Sequence, residues 1–177
     1  MKKFISFLRI RRKIDKRTFP EITLSDLKKE YGGKNFAAPN PDITAAIQDI
    51  DGNVVGSIVY TISPLKDRIY LFDIKIYPAY RRRGLGLALL VFLAKEYDLP
   101  LTVVQPISPA LLFWESARNE LAHVVNMTES LSMGDMNAEK ARWSHFQPQV
   151  QKLEQLIAER FRRGETYYQA IGRGLEE

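Results

Sequence analysis

"YPAYRRRGLGLALL", residues 77–90, decides how this chain is read. A strand ends at Pro78, and a helix begins near Leu85, with apolar residues recurring at 87, 90, 91 and 94. Three consecutive arginines and two glycines stand between them. The first amides of a helix lack intrahelical partners, and the macrodipole makes that end partly positive. Arg81, Arg82 and Arg83 add like charge there, while Gly84 and Gly86 remove side chains so that another group can approach the backbone. Such a start is unfavourable for a bare helix and favourable around an anion, and a pyrophosphate is the natural candidate. Two familiar phosphate loops do not fit. The P-loop pattern G-x-x-x-x-G-K-S/T is absent. A dinucleotide fingerprint needs a small residue where Leu89 stands and an acid near Val104 and Gln105.

The flanking residues supply the framework. Residues 43–62 read as a β-hairpin around Asp51-Gly52. Residues 67–78 read as a strand with Tyr70, Phe72, Ile74 and Ile76 on one face and Leu71, Asp73, Lys75 and Tyr77 on the other. A helix over 85–97 is stopped by residues 98–100, and residues 101–105 form a short apolar strand. Residues 108–121 form a helix with Ser108 as N-cap and Pro109 at its first position. Residues 123–131 are a candidate for a further strand, and 149–163 an amphipathic helix with Gly164 at its end. A strand–helix–strand unit implies a parallel crossover, so the sheet is expected to be mixed.

With those elements in place, Arg81-Arg82-Arg83-Gly84-Leu85-Gly86 resembles motif A of the GNAT superfamily of N-acetyltransferases, Q/R-x-x-G-x-G/A between a strand and a helix. "ALLFWE" (residues 110–115) is similar to that family's later A-x-x-L/F-Y-E block, and "DGNVVGSIVY" (51–60) to its hairpin. The resemblance spans roughly residues 43–119. It implies an α/β fold with a mixed, splayed central sheet flanked by helices, and acetyl-coenzyme A as co-substrate. Pantetheine would pair with the backbone of Ile74, Lys75 and Ile76 in the splay. The diphosphate would take amides from Arg81 to Leu87, including Leu85, and Trp114 would lie beside the co-substrate.

Acetyl transfer to an amine needs the nitrogen neutral, although a free alkylamine has a pKa of about 10.4. A base or water relay must take its proton, a donor must face the thioester oxygen, and the sulfur must be protonated or otherwise stabilised as it leaves. Many members of the family use a tyrosine for the sulfur; Trp114 stands there instead, and an indole N–H is no acid near neutral pH. Ser116, Tyr77 or water then protonates sulfur, or the thiolate leaves bare, or no transfer occurs; a core aromatic beside Phe113 is an equal reading of Trp114. Tyr70 occupies the base position of some members. Asp73 is the acid within the strand core, with a partner for Lys75 or an exposed edge charge as its plain alternatives. Glu115 has an equal solvent-facing reading, and His123 either relays a proton from the following strand or is structural.

Bulk composition limits the remainder. The 177 residues, 45% hydrophobic, suffice for one cored domain. There is no cysteine, and His123 and His145 lack partners at ligand spacing, so disulfides, thiolate sites and a metal are not expected. Residues 1–17 carry eight basic side chains and one acidic, leaving the other 160 residues at −2. Ser6 and Arg9 interrupt the apolar run of a secretion signal, and no stretch approaches the ~20 apolar residues of a membrane span. The expected location is the cytoplasm. Residues 1–17 are open to three readings: a first strand, a segment on anionic lipid, or an arm touching RNA or nucleoprotein. Residues 18–137 form the expected acetyl-coenzyme A domain, and 138–177 a helical extension packed on the body or on a second copy. The partner implied is an amine acceptor; the alternative is a non-catalytic acyl-coenzyme A or nucleic-acid binder. Deleting residues 1–12 is expected to lower retention on RNA or anionic vesicles while leaving coenzyme A affinity unchanged by calorimetry.

Overall fold

The computed structural model describes residues 18–176, so the segment 1–17 and its three readings lie outside the described residues. Five strands form one sheet in sequence order: β1 (Ile22–Glu30), β2 (Asp42–Asp49), β3 (Val54–Ile62), β4 (Ile69–Ile76) and β5 (Leu101–Val103). Neighbours are antiparallel from β1 to β4, and β5 lies parallel to β4. Helix α1 (Leu85–Tyr97) makes the parallel crossover, and α2 (Leu111–Leu121) follows β5. The chain ends in α3 (Met133–Ala141), α4 (Gln147–Arg162) and α5 (Tyr167–Ile171). The sheet is therefore mixed and flanked by helices.

The main core lies between the sheet and helices α1 and α2. Leu85, Leu87, Ala88, Leu89, Leu90, Val91 and Leu93 of α1 are buried there, as are Trp114, Ala117 and Leu121 of α2. The α2 residues follow spacings of three and four, one helical stripe. A second cluster on the opposite face holds Phe36, Tyr70, Val104 and Trp143, with Phe72, Leu131 and Met136 against it.

Several local expectations change in three dimensions. Between Val59↔Asp73 and Tyr60↔Leu71 the register slips by one residue, a β-bulge in β4. One extra residue reverses the alternation. Ile69 and Leu71 thus share the main-core side with Ile74 and Ile76, while Tyr70 and Phe72 join the second cluster. The uniform alternation expected for residues 70–77 does not hold across the bulge. Residues 123–131 do not form a strand: two isolated parallel bridges, Leu101↔Met127 and Val104↔Leu131, cover the outer edge of β5. Ser108 makes no side-chain cap; Ser108–Ala110 is a 3-10 turn leading into α2. Strand β1 carries little sequence signal, because its register breaks between Ser25 and Lys28 and a run of charge follows, a common composition at a sheet edge.

The hairpin turn is closed by Asp49. Its Oδ1 accepts from the backbone N–H groups of Asp51 (3.1 Å) and Asn53 (2.9 Å), and Gly52 sits at φ 81°. A boundary at residue 137 falls inside α3, whose residues run on both sides of it. The C-terminal helices lie against their own chain. Leu153 of α4 is fully buried, the Tyr31 N–H donates to the Ile171 carbonyl at 2.9 Å, and Glu154 occupies the space beside Gly33. Buried Arg160 ties down the chain end by donating to the Ala170 and Gly174 carbonyls at 3.0 Å and to that of Glu176. Helix α3 is anchored by Glu139, which accepts from Arg142 at 2.5 Å and pairs with Arg68 at 3.4 Å, while Arg142 also pairs with Asp67. Among the described residues no helix is long and apolar enough to cross a membrane.

One carboxylate works against the fold. Asp42 stands opposite Glu30 in the β1–β2 register, and burial together with the Glu30 charge pushes its pKa up to about 6. The folded state holds this proton more tightly than the unfolded chain, so stability is lost as pH rises from about 4 through about 6. Asp42→Asn should raise stability at pH 7 by ~1 kcal/mol after solvent screening, seen as a higher Tm, and the gap to wild type should close below pH 4. Paired thermal melts across that range measure both.

Candidate functional site

The site begins where two strands part. β4 and β5 pair only at Ile69↔Leu101, Tyr70↔Thr102 and Leu71↔Val103, followed by a Val104 N–H bond to the Leu71 carbonyl at 2.9 Å. β4 then continues to Ile76 on β3 alone. The backbone direction in this stretch follows from one bond. Tyr77 donates its N–H to the Val55 carbonyl at 2.9 Å, so alternation turns residues 73, 75 and 77 toward β3. Ile74 and Ile76 present their polar backbone to the gap. Lys75 presents only its side chain elsewhere: its carbonyl is so close to Gly56 that a Cβ there would sit 2.1 Å from it. Of the three residues expected to offer backbone groups, two face the opening.

The gap leads to the start of α1. Gly84 is the N-cap at φ 78°, no side chain caps the helix, and no acid lies in its first turn. The amides of Leu85, Gly86 and Leu87 are thus first-turn donors without intrahelical acceptors. Arg82 adopts φ 63°, a conformation rarely taken by residues with a β-carbon, and the three arginines are exposed. Arg81 Nε donates to the Ile76 carbonyl at 2.9 Å, linking the loop to the gap, and the Arg83 guanidinium lies 5.4 Å from the Tyr80 ring centre. Gly84 and Gly86 have different neighbours from those their shared motif suggests. A Cβ on Gly84 would stand 3.6 Å from Pro20, whereas one on Gly86 would stand 3.0 Å from the Phe113 ring. The small residue at 86 lets α2 approach α1.

The candidate proton-transfer groups are not gathered together. Asp73 is exposed and, beyond the bulge, lies on the sheet face opposite α1, at the opening. Tyr70 is fully buried and donates its hydroxyl to Glu139 Oε1 at 2.5 Å; burial first, then the hydrogen bond to Glu139 and its charge, push its acidity to higher pH. Ser116 is exposed and donates to Glu120 at 2.5 Å. Trp114 is buried in the main core, its ring centre 4.9 Å from that of Phe113. Glu115 and His123 are exposed, and Tyr77 is 36% exposed at the end of β4. Glu139, the partner of Tyr70, carried no local sequence signal, since its role depends on a residue 69 positions away.

Residues 8–98 match the model of the Acetyltransferase (GNAT) family, just over half of the chain. The chain belongs to the acetyltransferase (GNAT) family. The match ends at the close of α1, so the block at residues 110–115 and the C-terminal helices lie beyond it. No curated protein matches the chain. Among solved structures it is similar to the crystal structure of nourseothricin acetyltransferase, at 19% identity over 56% of this chain and 72% of that one, with a TM-score of 0.34. As a GNAT protein the chain has acetyl transfer as its chemistry and acetyl-coenzyme A as the family's donor. The fit of that donor rests on the uncapped, cation-flanked start of α1 and on the gap-facing backbone of Ile74 and Ile76. Gly86→Val drives a side chain into Phe113 and is expected to weaken acetyl-coenzyme A binding about tenfold through a displaced helix start. Adding Phe113→Ala should restore part of that affinity, measured by calorimetry as a double-mutant cycle.

Proposed function

We propose that the chain moves the acetyl group of acetyl-coenzyme A to a primary amine by direct attack. The observation that carries this reading is a strand gap running into a helix start that lacks a cap and is lined by arginines. First-turn amides of α1, with Arg81, Arg82 and Arg83, hold the diphosphate. The backbone of Ile74 and Ile76 holds the pantetheine arm. When bound, acetyl-coenzyme A supplies a thioester whose carbonyl carbon accepts the amine nitrogen as the C–S bond breaks.

Asp73 is the proposed acceptor of the amine's proton, directly or through one water, since it is exposed at the opening on the face away from α1. Tyr70 keeps its proton because its hydroxyl is engaged with Glu139. With Trp114 in the core and Ser116 turned to Glu120, water protonates the departing sulfur. The core position of Trp114 equally suits a protein that binds acyl-coenzyme A without turnover, and one assay separates the two. Thermal shifts with acetyl-coenzyme A and free coenzyme A, followed by thiol release against primary amines, should show binding and release. Asp73→Asn should lower kcat about 100-fold with donor affinity retained. Binding without release for every amine would favour the non-catalytic reading, and no shift with either ligand would remove both.

A further inference from the structure

We infer that the amine is received against a wall made by Gln105, Met133 and Met136, which selects primary amines carried on an unbranched methylene stem. The inference deepens the proposed reaction and rests on it. Gln105 stands two residues beyond Val103, the last residue of β5 paired to β4; Asp73 stands two residues beyond Leu71 on the other strand. The two flank the mouth of the gap. Gln105 adopts φ 50°, a left-handed conformation uncommon for a residue with a β-carbon, and its N–H is held by the Leu131 carbonyl at 2.8 Å. Its side chain reaches α3, where Nε2 lies 3.2 Å from Met133 Sδ and 2.7 Å from Met136 Sδ.

Thioether sulfur is a weak acceptor. A carboxamide held only by two sulfurs adds little to the fold, yet the chain adopts an unfavourable backbone conformation at that residue. Such outliers concentrate where a site requires them. Among the described residues no donor reaches Gln105 Oε1. The first turn of α3, which carries them, is fixed rather than frayed. Ser132 and Asp135 close a capping box at the start of α3, with the Ser132 N–H 2.9 Å from Asp135 Oδ2. Met133 is 72% exposed on that first turn, and Met136 packs toward the cluster containing Phe72.

Two polarisable sulfurs accommodate methylene groups. Gln105 Oε1 accepts one N–H of the amine, and Asp73 faces it from the other strand. A polyhydroxylated amine would bring hydroxyls against sulfur, a weak acceptor. The wall comes from residues beyond the family match, where acceptor choice can differ while donor binding stays common.

Acetyl-coenzyme A binding is first measured by calorimetry, and turnover is then compared for Nα-acetyl-lysine amide and glucosamine. The lysine derivative should show the lower KM. Gln105→Asn tolerates the left-handed backbone but withdraws the carboxamide, and should raise that KM about tenfold with donor Kd within about twofold. Gln105→Glu, which keeps an oxygen at the same reach, should hold KM at or below wild type. Met133→Lys, at an exposed position, should raise it by setting a cation beside the incoming ammonium. The inference is overturned if KM is unmoved in the Asn and Lys variants, if Gln105→Glu behaves as Asn, if donor Kd changes in parallel, if glucosamine is preferred, or if neither amine is acetylated while acetyl-coenzyme A binds. Failure of the wild type to bind acetyl-coenzyme A overturns the proposed function beneath it.

Discussion

The parallel ladder between β4 and β5 stops after three residue pairs, and the site depends on that stop. A continued ladder would consume the backbone groups of Ile74 and Ile76 in the sheet and leave no opening for a ligand. Strands that separate expose unpaired peptide groups, which are costly unless water or a ligand satisfies them. β5 compensates on its outer side: the Leu101 N–H takes the Asn126 carbonyl at 2.8 Å, and the Gln105 N–H takes that of Leu131 at 2.8 Å. Its last residues are thereby held away from β4 by the segment that follows α2.

The bulge in β4 complements this separation. By adding one residue at the point where the strands part, it leaves Phe72 with Tyr70 in the second cluster and brings Asp73 to that same face, the side of helix α3. Helix α3 is fastened there by Glu139, Arg142, Arg68 and Asp67, a partly buried group in which each charge has an opposite neighbour. Removing a single partner from such a group leaves a charge uncompensated, so its effect on the position of α3 exceeds that of an exposed pair. The proposed acceptor side of the site is thus coupled to the packing of residues outside the family match.

Much of the proposed donor side was legible in the chain. The order of elements, the uncapped start of α1 and the arginine-rich loop before it follow from short-range features: a proline ending a strand, arginines before Gly84, and a helical period from Leu85. The acceptor side was not. Tyr70 looked available from its position but is buried against Glu139; Gly86 looked like ligand space but adjoins Phe113. Gln105 stood at the end of an apolar strand with no local reason to be singled out.

The sequence by itself determined where a helix would begin beside unpaired amides and positive charge, because capping, glycine placement and hydrophobic period are properties of neighbours along the chain. Only the tertiary structure decided which side chains face the opening. A one-residue bulge inverts every position after it, and contacts such as Tyr70 with Glu139 or Gln105 with Met136 join residues whose separation in sequence carries no record of their distance in space.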